Sequence, residues 1–177
     1  KEFKKREGFS EKLDEIGFQY HRVLSSDGEI YWNEGIAYEF SLEEIEKIEK
    51  VSQELHDICL ETVEKIINSG DYPAEFRLNN NAKQLIENSW KRKDFHIYGR
   101  FDLLIEPTGE IKMYEYNADT PTALLESAVA QWHWLEEAED VSHRDQFNSI
   151  HEKLVDRWQQ AKNNLVNPML YVLAAKS

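Results

Sequence analysis

Apolar residues recur at helical spacing along one stretch of the chain, which begins after Ser41 and ends near Gly70. The members of this stripe are Leu42, Ile45, Ile48, Val51, Leu55, Ile58, Val63 and Ile66. A near-3.6 period that is kept over so many turns predicts one long amphipathic helix. Ser41 is a favourable N-cap, and Glu44 three residues later completes a capping box.

Residues 95–105 and 111–116 have a different pattern, because they are rich in aromatic and β-branched side chains. Pro107, Thr108 and Gly109 lie between them and form a strong turn signal. Two such segments joined by a short turn predict an antiparallel β-hairpin. The centre of the chain is therefore expected to be a sheet element, in contrast to the helical stretch before it.

The remaining elements complete the predicted fold. Helices are predicted over residues 9–18, 81–89, 122–137 and 143–162, and short strands over residues 30–32 and 169–173. These elements predict the α/β class, of the α+β kind, with helices packed on a mostly antiparallel sheet. The pattern changes near residue 90. We therefore divide the chain into a mostly helical N-terminal region, residues 1–90, and a region with the hairpin, residues 91–177.

Charge and cysteine content exclude several classes of function. The formal net charge is -13, and an acidic protein repels the phosphate backbone, so no nucleic-acid partner is expected. No apolar run approaches the ~18 residues of a membrane span, so no membrane partner is expected either. Cys59 is the single cysteine, which rules out an intrachain disulfide and a multi-cysteine zinc site. A reducing, cytoplasmic setting fits this content, with Cys59 as a small core residue.

Four polar residues stand out on the predicted hairpin. Residues two apart on a strand point to the same face, so Arg100 and Asp102 share a face, and Glu115 and Asn117 do likewise. With a loop of residues 107–110, the register sets Asp102 opposite Glu115 and Arg100 opposite Asn117. Two carboxylates, one amide and one guanidinium would then converge on one patch.

Opposed carboxylates on neighbouring strands repel each other, so this patch needs positive charge. Arg100 supplies part of it, and a hard divalent cation is the other candidate. Mg²⁺ prefers carboxylate and carbonyl oxygens, which predicts Asp102, Glu115 and Asn117 as its ligands. Arg100 would then neutralise a phosphate or a developing negative charge. The alternative is an ordinary exposed hairpin face with a surface ion pair.

The segment that follows the hairpin is polar and turn-forming. Thr120 or Asp119 can cap the predicted helix over residues 122–137. Free amides at that helix start would make an anion site beside the metal, although Thr120 can equally be a simple cap.

Several motifs around these residues resemble the synthetase domain of the glutathionylspermidine synthase family. They are Tyr98-Gly99-Arg100-Phe101-Asp102, Tyr114-Glu115-Tyr116-Asn117-Ala118-Asp119-Thr120-Pro121-Thr122, Leu125-Glu126-Ser127-Ala128, Gln131-Trp132, Tyr31-Trp32-Asn33-Glu34 and Tyr38-Glu39-Phe40. The resemblance implies a pre-ATP-grasp-like region followed by the first part of an ATP-grasp ligase domain. Such ligases use ATP to convert a carboxylate into an acyl phosphate, which an amine then attacks. In the namesake reaction the substrates are glutathione and the polyamine spermidine.

Carried over by motif, the resemblance implies roles for individual residues. Asp102, Glu115 and Asn117 match the magnesium ligands, and Asp102 and Arg100 contact the ATP–Mg²⁺ cofactor. Arg100 matches an arginine that binds ATP phosphate and stabilises the transition state. Thr120 matches the position of a glutathione-contacting residue.

The sequence also departs from the family pattern. The family continues well beyond residue 177, where the adenine pocket, the phosphate-binding lysines and the lid are expected. We therefore expect this chain to be a fragment that is inactive alone. Nothing corresponds to the amidase domain of bifunctional members, and the substrates can differ from the namesake ones. The alternative function is a non-catalytic, truncated ligase-like domain that binds a small molecule or a protein partner.

Overall fold

The computed structural model describes residues 1–139, 141 and 145–164. The α-helices are α1 (Phe9–Glu15), α2 (Leu42–Ser69), α3 (Asn80–Arg92), α4 (Gln131–Glu137) and α5 (Ile150–Asn164). The strands are β1 (Arg100–Ile105) and β2 (Ile111–Asn117), which form an antiparallel sheet. Short 3₁₀ turns cover Gln19–Arg22 and Ala74–Phe76, and a π-helical turn covers Glu126–Ala130. The α/β class with an antiparallel sheet is confirmed, whereas the strand predicted over residues 169–173 lies outside the described residues.

The described chain packs as two compact units. One unit combines Lys1–Glu39 with the described residues from Thr122 onward, and the other is Phe40–Pro121. The second unit contains α2, α3 and the hairpin. The division at residue 90, which rests on the change of sequence pattern, stays a prediction.

The long helix α2 has both of its predicted end signals. The Ser41 amide donates to Glu44 Oε2 at 2.7 Å, and the Glu44 amide donates to Ser41 Oγ at 3.2 Å. This is the predicted capping box, and it satisfies backbone donors that the helix leaves unpaired. Gly70 ends the helix in the left-handed conformation, with φ 69°. The helix is therefore confirmed at both ends, and Cys59 lies partly buried within it.

The hairpin is shorter at its start and tighter at its turn than the sequence predicted. Residues 95–99 are not part of β1, which begins at Arg100. The Glu106 amide donates to Glu110 O at 2.8 Å, so the loop contains three residues, not the predicted four. Gly109 closes this loop with φ 79°, the left-handed conformation that three-residue hairpin loops require.

The first unit has a small apolar core. Leu13 and Phe18 are buried there with Ala130, at 1%, 2% and 0% exposure. Phe18 also packs edge-on against Trp32, with 5.3 Å between ring centroids. The strand predicted over residues 30–32 is not formed, because Ile30 makes only an isolated bridge with Leu24, although the Tyr31 amide also donates to the Val23 carbonyl at 2.8 Å.

A buried ion pair lies in the same unit. Arg6 Nη2 lies 2.7 Å from Glu34 Oε1, and their side chains are 4% and 0% exposed. Arg6 also donates to the His133 carbonyl at 3.0 Å. Trp32 Nε1 donates to Glu34 Oε1 at 2.9 Å, and Trp134 Nε1 donates to the Glu34 carbonyl at 3.2 Å. Buried charges are tolerated when they are paired and hydrogen-bonded in this way.

The helical predictions for the later part of the chain are confirmed in type but not in all boundaries. Helical structure starts at residue 124 rather than 122, directly after Ala123 with φ 71°. The last helix starts at Ile150, because residues 145–149 are not helical. Within the described residues, no helix combines the length and the apolar character needed to cross a membrane.

Candidate functional site

The register of the hairpin brings the predicted polar residues together. Asp102 pairs with Glu115, and Arg100 pairs with Asn117. Both pairings are the ones expected from the sequence. Below, the polar face of the hairpin means the four residues Arg100, Asp102, Glu115 and Asn117.

This register depends on a β-bulge that the sequence did not indicate. Next to the turn, Leu103 pairs with Met113, one residue out of step with the Asp102–Glu115 pair. Tyr114 is the extra residue on β2 that absorbs the shift. A shift of one residue moves side chains to the other face of a sheet, and a bulge corrects it locally. The shorter loop and the bulge therefore cancel, and the polar face keeps its predicted partners.

Hydrogen bonds connect the members of the polar face. Arg100 Nε donates to Asp102 Oδ1 at 2.8 Å, and Arg100 Nη2 donates to Oδ2 at 3.2 Å. Arg100 Nη2 also lies 3.9 Å from Glu115 Oε1. Asn117 Nδ2 donates to the same Glu115 oxygen at 2.6 Å. The Arg100 hydrogen bond holds the pKa of Asp102 below its usual range, so this carboxylate stays ionised at neutral pH.

The donor set of the polar face fits a magnesium ion in its chemistry. Asp102 and Glu115 supply carboxylate oxygens, and Asn117 can supply its amide oxygen when the amide turns over. Among the described residues, no group of three or more His, Cys, Asp and Glu is placed to hold a metal. The amide, water and phosphate oxygens would therefore complete the shell, as is usual for Mg²⁺. At present the Arg100 guanidinium provides the positive charge that the two acids require.

The opposite face of the hairpin carries an aromatic pair. We call Phe101 and Tyr116 the back face. Their rings stack with 4.0 Å between centroids and an interplanar angle of 18°. His56 of α2 reaches this pair, with Nδ1 2.9 Å from the Tyr116 hydroxyl. Partial burial raises the pKa of Tyr116, and nearby Cys59 adds to this effect, so the hydroxyl keeps its proton.

His56 and Tyr116 were not identified as site residues from the sequence. A lone histidine on an amphipathic helix has no distinctive spacing, so the sequence pattern does not mark His56 as a site residue. The alternation of β2 could have placed Tyr116 on the face opposite its neighbours. Only the packing of α2 beside the hairpin could bring His56 to it.

Thr120 lies three residues beyond the end of β2. Its hydroxyl donates to Asp119 Oδ2 at 3.1 Å, and its side chain is exposed. Nearby, the Tyr98 hydroxyl donates to the Pro121 carbonyl at 2.6 Å. This hydrogen bond fixes the C-terminal end of the segment over residues 118–121, which follows β2. The substrate-contacting role of Thr120 stays a prediction.

Known relatives of this chain are named as ligases and synthetases. A protein of Haemophilus influenzae named as an acid–amine ligase is 47% identical over 160 residues, which cover 90% of this chain and 40% of the relative. The bifunctional glutathionylspermidine synthetase/amidase of Escherichia coli is 24% identical over 166 residues, which cover 93% of this chain and 26% of the relative. The trypanothione synthetase of Crithidia fasciculata is 33% identical over 84 residues, 47% of this chain and 13% of the relative.

The chain therefore spans less than half the length of each of these relatives. The match to the family described as glutathionylspermidine synthase preATP-grasp is more extensive, because it runs over residues 1–177. This match includes the hairpin and both units described above. The chain belongs to the glutathionylspermidine synthase preATP-grasp family.

Proposed function

We propose that this chain provides the magnesium-holding part of an ATP-dependent carboxylate–amine ligase. The observation that carries the proposal is the Asp102–Glu115 pair, which faces across the hairpin beside Arg100. Opposed acids are unfavourable unless a cation lies between them, and their oxygens are the ligands that Mg²⁺ prefers. Family membership and the names of the relatives support the same class of reaction.

In the proposed reaction, a carboxylate attacks the γ-phosphate of ATP to form an acyl phosphate and release ADP. An amine then attacks the acyl carbon, which forms the amide bond and releases phosphate and a proton. Mg²⁺, held by Asp102, Glu115 and Asn117, would neutralise charge on the phosphate oxygens. The chain itself orients this ion, because the three ligands project from one face of a hydrogen-bonded hairpin. A site of this kind works by positioning and by electrostatic stabilisation.

In this proposal, the Arg100 side chain changes its partner when the ion and the nucleotide bind. Before the ion and the nucleotide bind, its guanidinium neutralises Asp102 and lies near Glu115. When a divalent cation takes over that charge, the guanidinium can turn to a phosphate oxygen of ATP. A planar guanidinium suits this task, because it donates bidentate hydrogen bonds to phosphate as well as to carboxylate.

The substrates belong to the proposal as well. The relatives' names include glutathionylspermidine and trypanothione synthetases. We therefore propose a small peptide-like carboxylate such as glutathione and a polyamine as the amine, with Thr120 on the carboxylate substrate. A cytoplasmic location remains part of the proposal and rests on the single cysteine.

The test is ATP binding to the full-length protein, measured calorimetrically with and without Mg²⁺. We expect Asp102→Ala and Glu115→Ala each to abolish the Mg²⁺-dependent part of binding. Glu110→Ala is a matched control, because it removes a carboxylate from the turn of the same hairpin and should bind as the wild type does. Unchanged binding in both site variants would refute the metal site.

A second measurement separates the ligase from a non-catalytic binding domain. Phosphate release from ATP is followed while candidate acids and amines are added together and singly. A ligase requires both substrates for full phosphate release. A domain that only binds a small molecule or protein releases no phosphate with any combination, which would favour the alternative.

A further inference from the structure

The back face lies directly behind the polar face. Phe101 lies between the two polar residues of β1, and Tyr116 lies between the two polar residues of β2. Because side chains alternate along a strand, each ring points away from its polar neighbours but shares their backbone. A displacement of Tyr116 would therefore move both proposed ligands on β2.

In the part of the chain that the structure describes, the Tyr116 side chain has neighbours on several sides. Phe101 stacks on one side of the ring at 4.0 Å. His56 Nδ1 lies 2.9 Å from the hydroxyl at the far end of the ring. Gly99 lies so close that a Cβ atom there would stand 2.5 Å from Tyr116 Cε2 and 2.7 Å from the hydroxyl oxygen. The ring therefore has neighbours at its face, its edge and its tip.

We call Tyr116 together with Phe101, His56 and Gly99 the clamp. The bulge explains why the strand needs these contacts. Tyr114 is the inserted residue, and it immediately precedes the part of β2 with the proposed ligands. A bulge leaves a residue unpaired and disrupts the ladder locally, so the register beyond it needs other contacts. The Phe101–Tyr116 pair is the second pair beyond the bulge. The clamp thus acts where the strand register has to be defined again.

We propose that Tyr116 and His56 are positioning residues of the magnesium site. Their hydrogen bond ties β2 to α2 from behind and holds Glu115 and Asn117 at the spacing that the ion requires. This inference rests on the proposed function, because it assigns a role at the same site. Neither residue touches the ion or the substrates.

The expected effect is on metal affinity. Loss of a partner that orients a metal ligand typically weakens metal binding 10–100-fold. Removal of the Tyr116 hydroxyl alone keeps the stacking contact, and its effect reaches the ligands only through the backbone. We therefore expect Mg²⁺ binding to become about tenfold weaker. Thermal unfolding of the same variant should change little, since only one partly buried hydrogen bond is lost and the stacked ring remains.

The experiment measures ATP binding to the full-length protein at a series of fixed free Mg²⁺ concentrations, which gives the apparent affinity for Mg²⁺. Tyr116→Phe removes the hydroxyl and keeps the ring. Tyr114→Phe is the matched control, because it removes a hydroxyl from the same strand, at a ring that is 73% exposed. We expect weaker Mg²⁺ binding in Tyr116→Phe alone. Equal affinities for both variants and the wild type would overturn the inference.

Two further variants test the hydrogen bond itself. His56→Gln keeps an acceptor near the hydroxyl, whereas His56→Leu does not, so partial recovery of Mg²⁺ affinity in His56→Gln supports positioning. The double variant His56→Leu with Tyr116→Phe should bind Mg²⁺ as tightly as the single variant that has the lower affinity. Both substitutions remove the same hydrogen bond, so their effects should not add. Fully additive losses would contradict a shared hydrogen bond and overturn the inference.

Gly99→Ala provides an independent route to the same displacement. The added methyl group would push the Tyr116 ring from Phe101 and His56, and we expect a similar loss of Mg²⁺ affinity. Asp102→Ala distinguishes the two levels of the proposal. If it abolishes Mg²⁺-dependent binding while the clamp variants bind normally, the metal site stands and the positioning role is wrong. If Asp102→Ala binds normally, the proposed function itself is wrong.

Discussion

Arg100 holds both carboxylate oxygens of Asp102, with Nε 2.8 Å from Oδ1 and Nη2 3.2 Å from Oδ2. The two residues are neighbours on one face of β1, so the geometry of the strand places their side chains within reach of each other. Glu115 on the opposite strand lies 3.9 Å from the same guanidinium. A positive group therefore already lies where two acids face each other, and any incoming cation has to compete with it.

Arg100→Ala should separate binding from turnover. Because the magnesium ligands remain, we expect Mg²⁺-dependent ATP binding to be mostly kept. Ligase turnover should fall by ~10²-fold or more, the size of effect seen when one preorganised transition-state contact is removed. Steady-state kinetics and calorimetry on the full-length protein measure the two quantities.

Lys112→Ala is the control for this prediction. Lys112 is a cation at the turn end of the same hairpin, where it donates to Glu106 at 2.6 Å. Its removal should leave turnover within about twofold of the wild type, because an exposed pair of this kind contributes little. Normal turnover in Arg100→Ala would refute the assigned role.

Glu34→Ala should destabilise the first unit severely. It would leave the Arg6 guanidinium, at 4% side-chain exposure, without its buried carboxylate, although the partly exposed Glu137 and the His133 carbonyl remain in contact. Breaking a buried ion pair in this way costs about 3–5 kcal/mol. Urea unfolding followed by tryptophan fluorescence should report it, since Trp32 and Trp134 both donate to Glu34.

Glu39→Ala serves as the comparison for Glu34. Glu39 pairs with Lys1 at 3.0 Å, and both side chains are about half exposed or more, at 61% and 49%. An exposed ion pair contributes at most about 1 kcal/mol, so this variant should unfold almost as the wild type does. Similar unfolding midpoints for both variants would contradict the proposed importance of burial.

Ser41→Ala should fray the start of α2. The variant removes one half of the capping box, a change that costs about 1 kcal/mol. Hydrogen exchange over residues 42–48 should become faster, while exchange near Gly70 stays the same. Ser52→Ala, in the middle of the same helix, should not accelerate exchange, because alanine is the better helix former there.

Glu137 should make stability depend on acid pH. Its carboxylate contacts Lys12 and lies 3.3 Å from Arg6 Nη1. The Lys12 hydrogen bond lowers the pKa of Glu137 in the folded state, and the nearby Arg6 lowers it further. A depressed pKa stabilises the fold above the ordinary value of about 4.3, and this contribution is lost as pH falls through the lowered value.

Glu137→Gln tests this dependence. The variant should lose stability at neutral pH, by no more than about 1 kcal/mol because the side chain is partly exposed, and the difference from the wild type should vanish by about pH 2. Lys12→Met removes the hydrogen bond that lowers the pKa of Glu137 most. This variant should also be less stable than the wild type at neutral pH, but by a smaller amount than Glu137→Gln. Unfolding free energies measured between neutral pH and about pH 2 decide the matter. A difference that grows towards low pH would contradict the prediction.

Much of the fold follows from local sequence chemistry. The capping box at Ser41 and the stop at Gly70 are signals within one turn of the chain, so both could be predicted. The hairpin was also predictable, because its two segments and its turn are contiguous. The pairings of Asp102 and Arg100 were right even though the loop length was wrong, since the bulge at Tyr114 restored the register.

Alternation along a strand is a local property of the backbone, so the order of residues is enough to show which of them can lie together on the polar face. The bidentate contact of Arg100 with Asp102, and the contact of His56 with Tyr116 from a helix 60 residues away in sequence, depend on the folded structure. The burial of Glu34 and Arg6 as a pair also depends on the folded structure. These contacts depend on how separate elements pack, and side-chain packing between distant segments leaves no periodic signal in a single sequence.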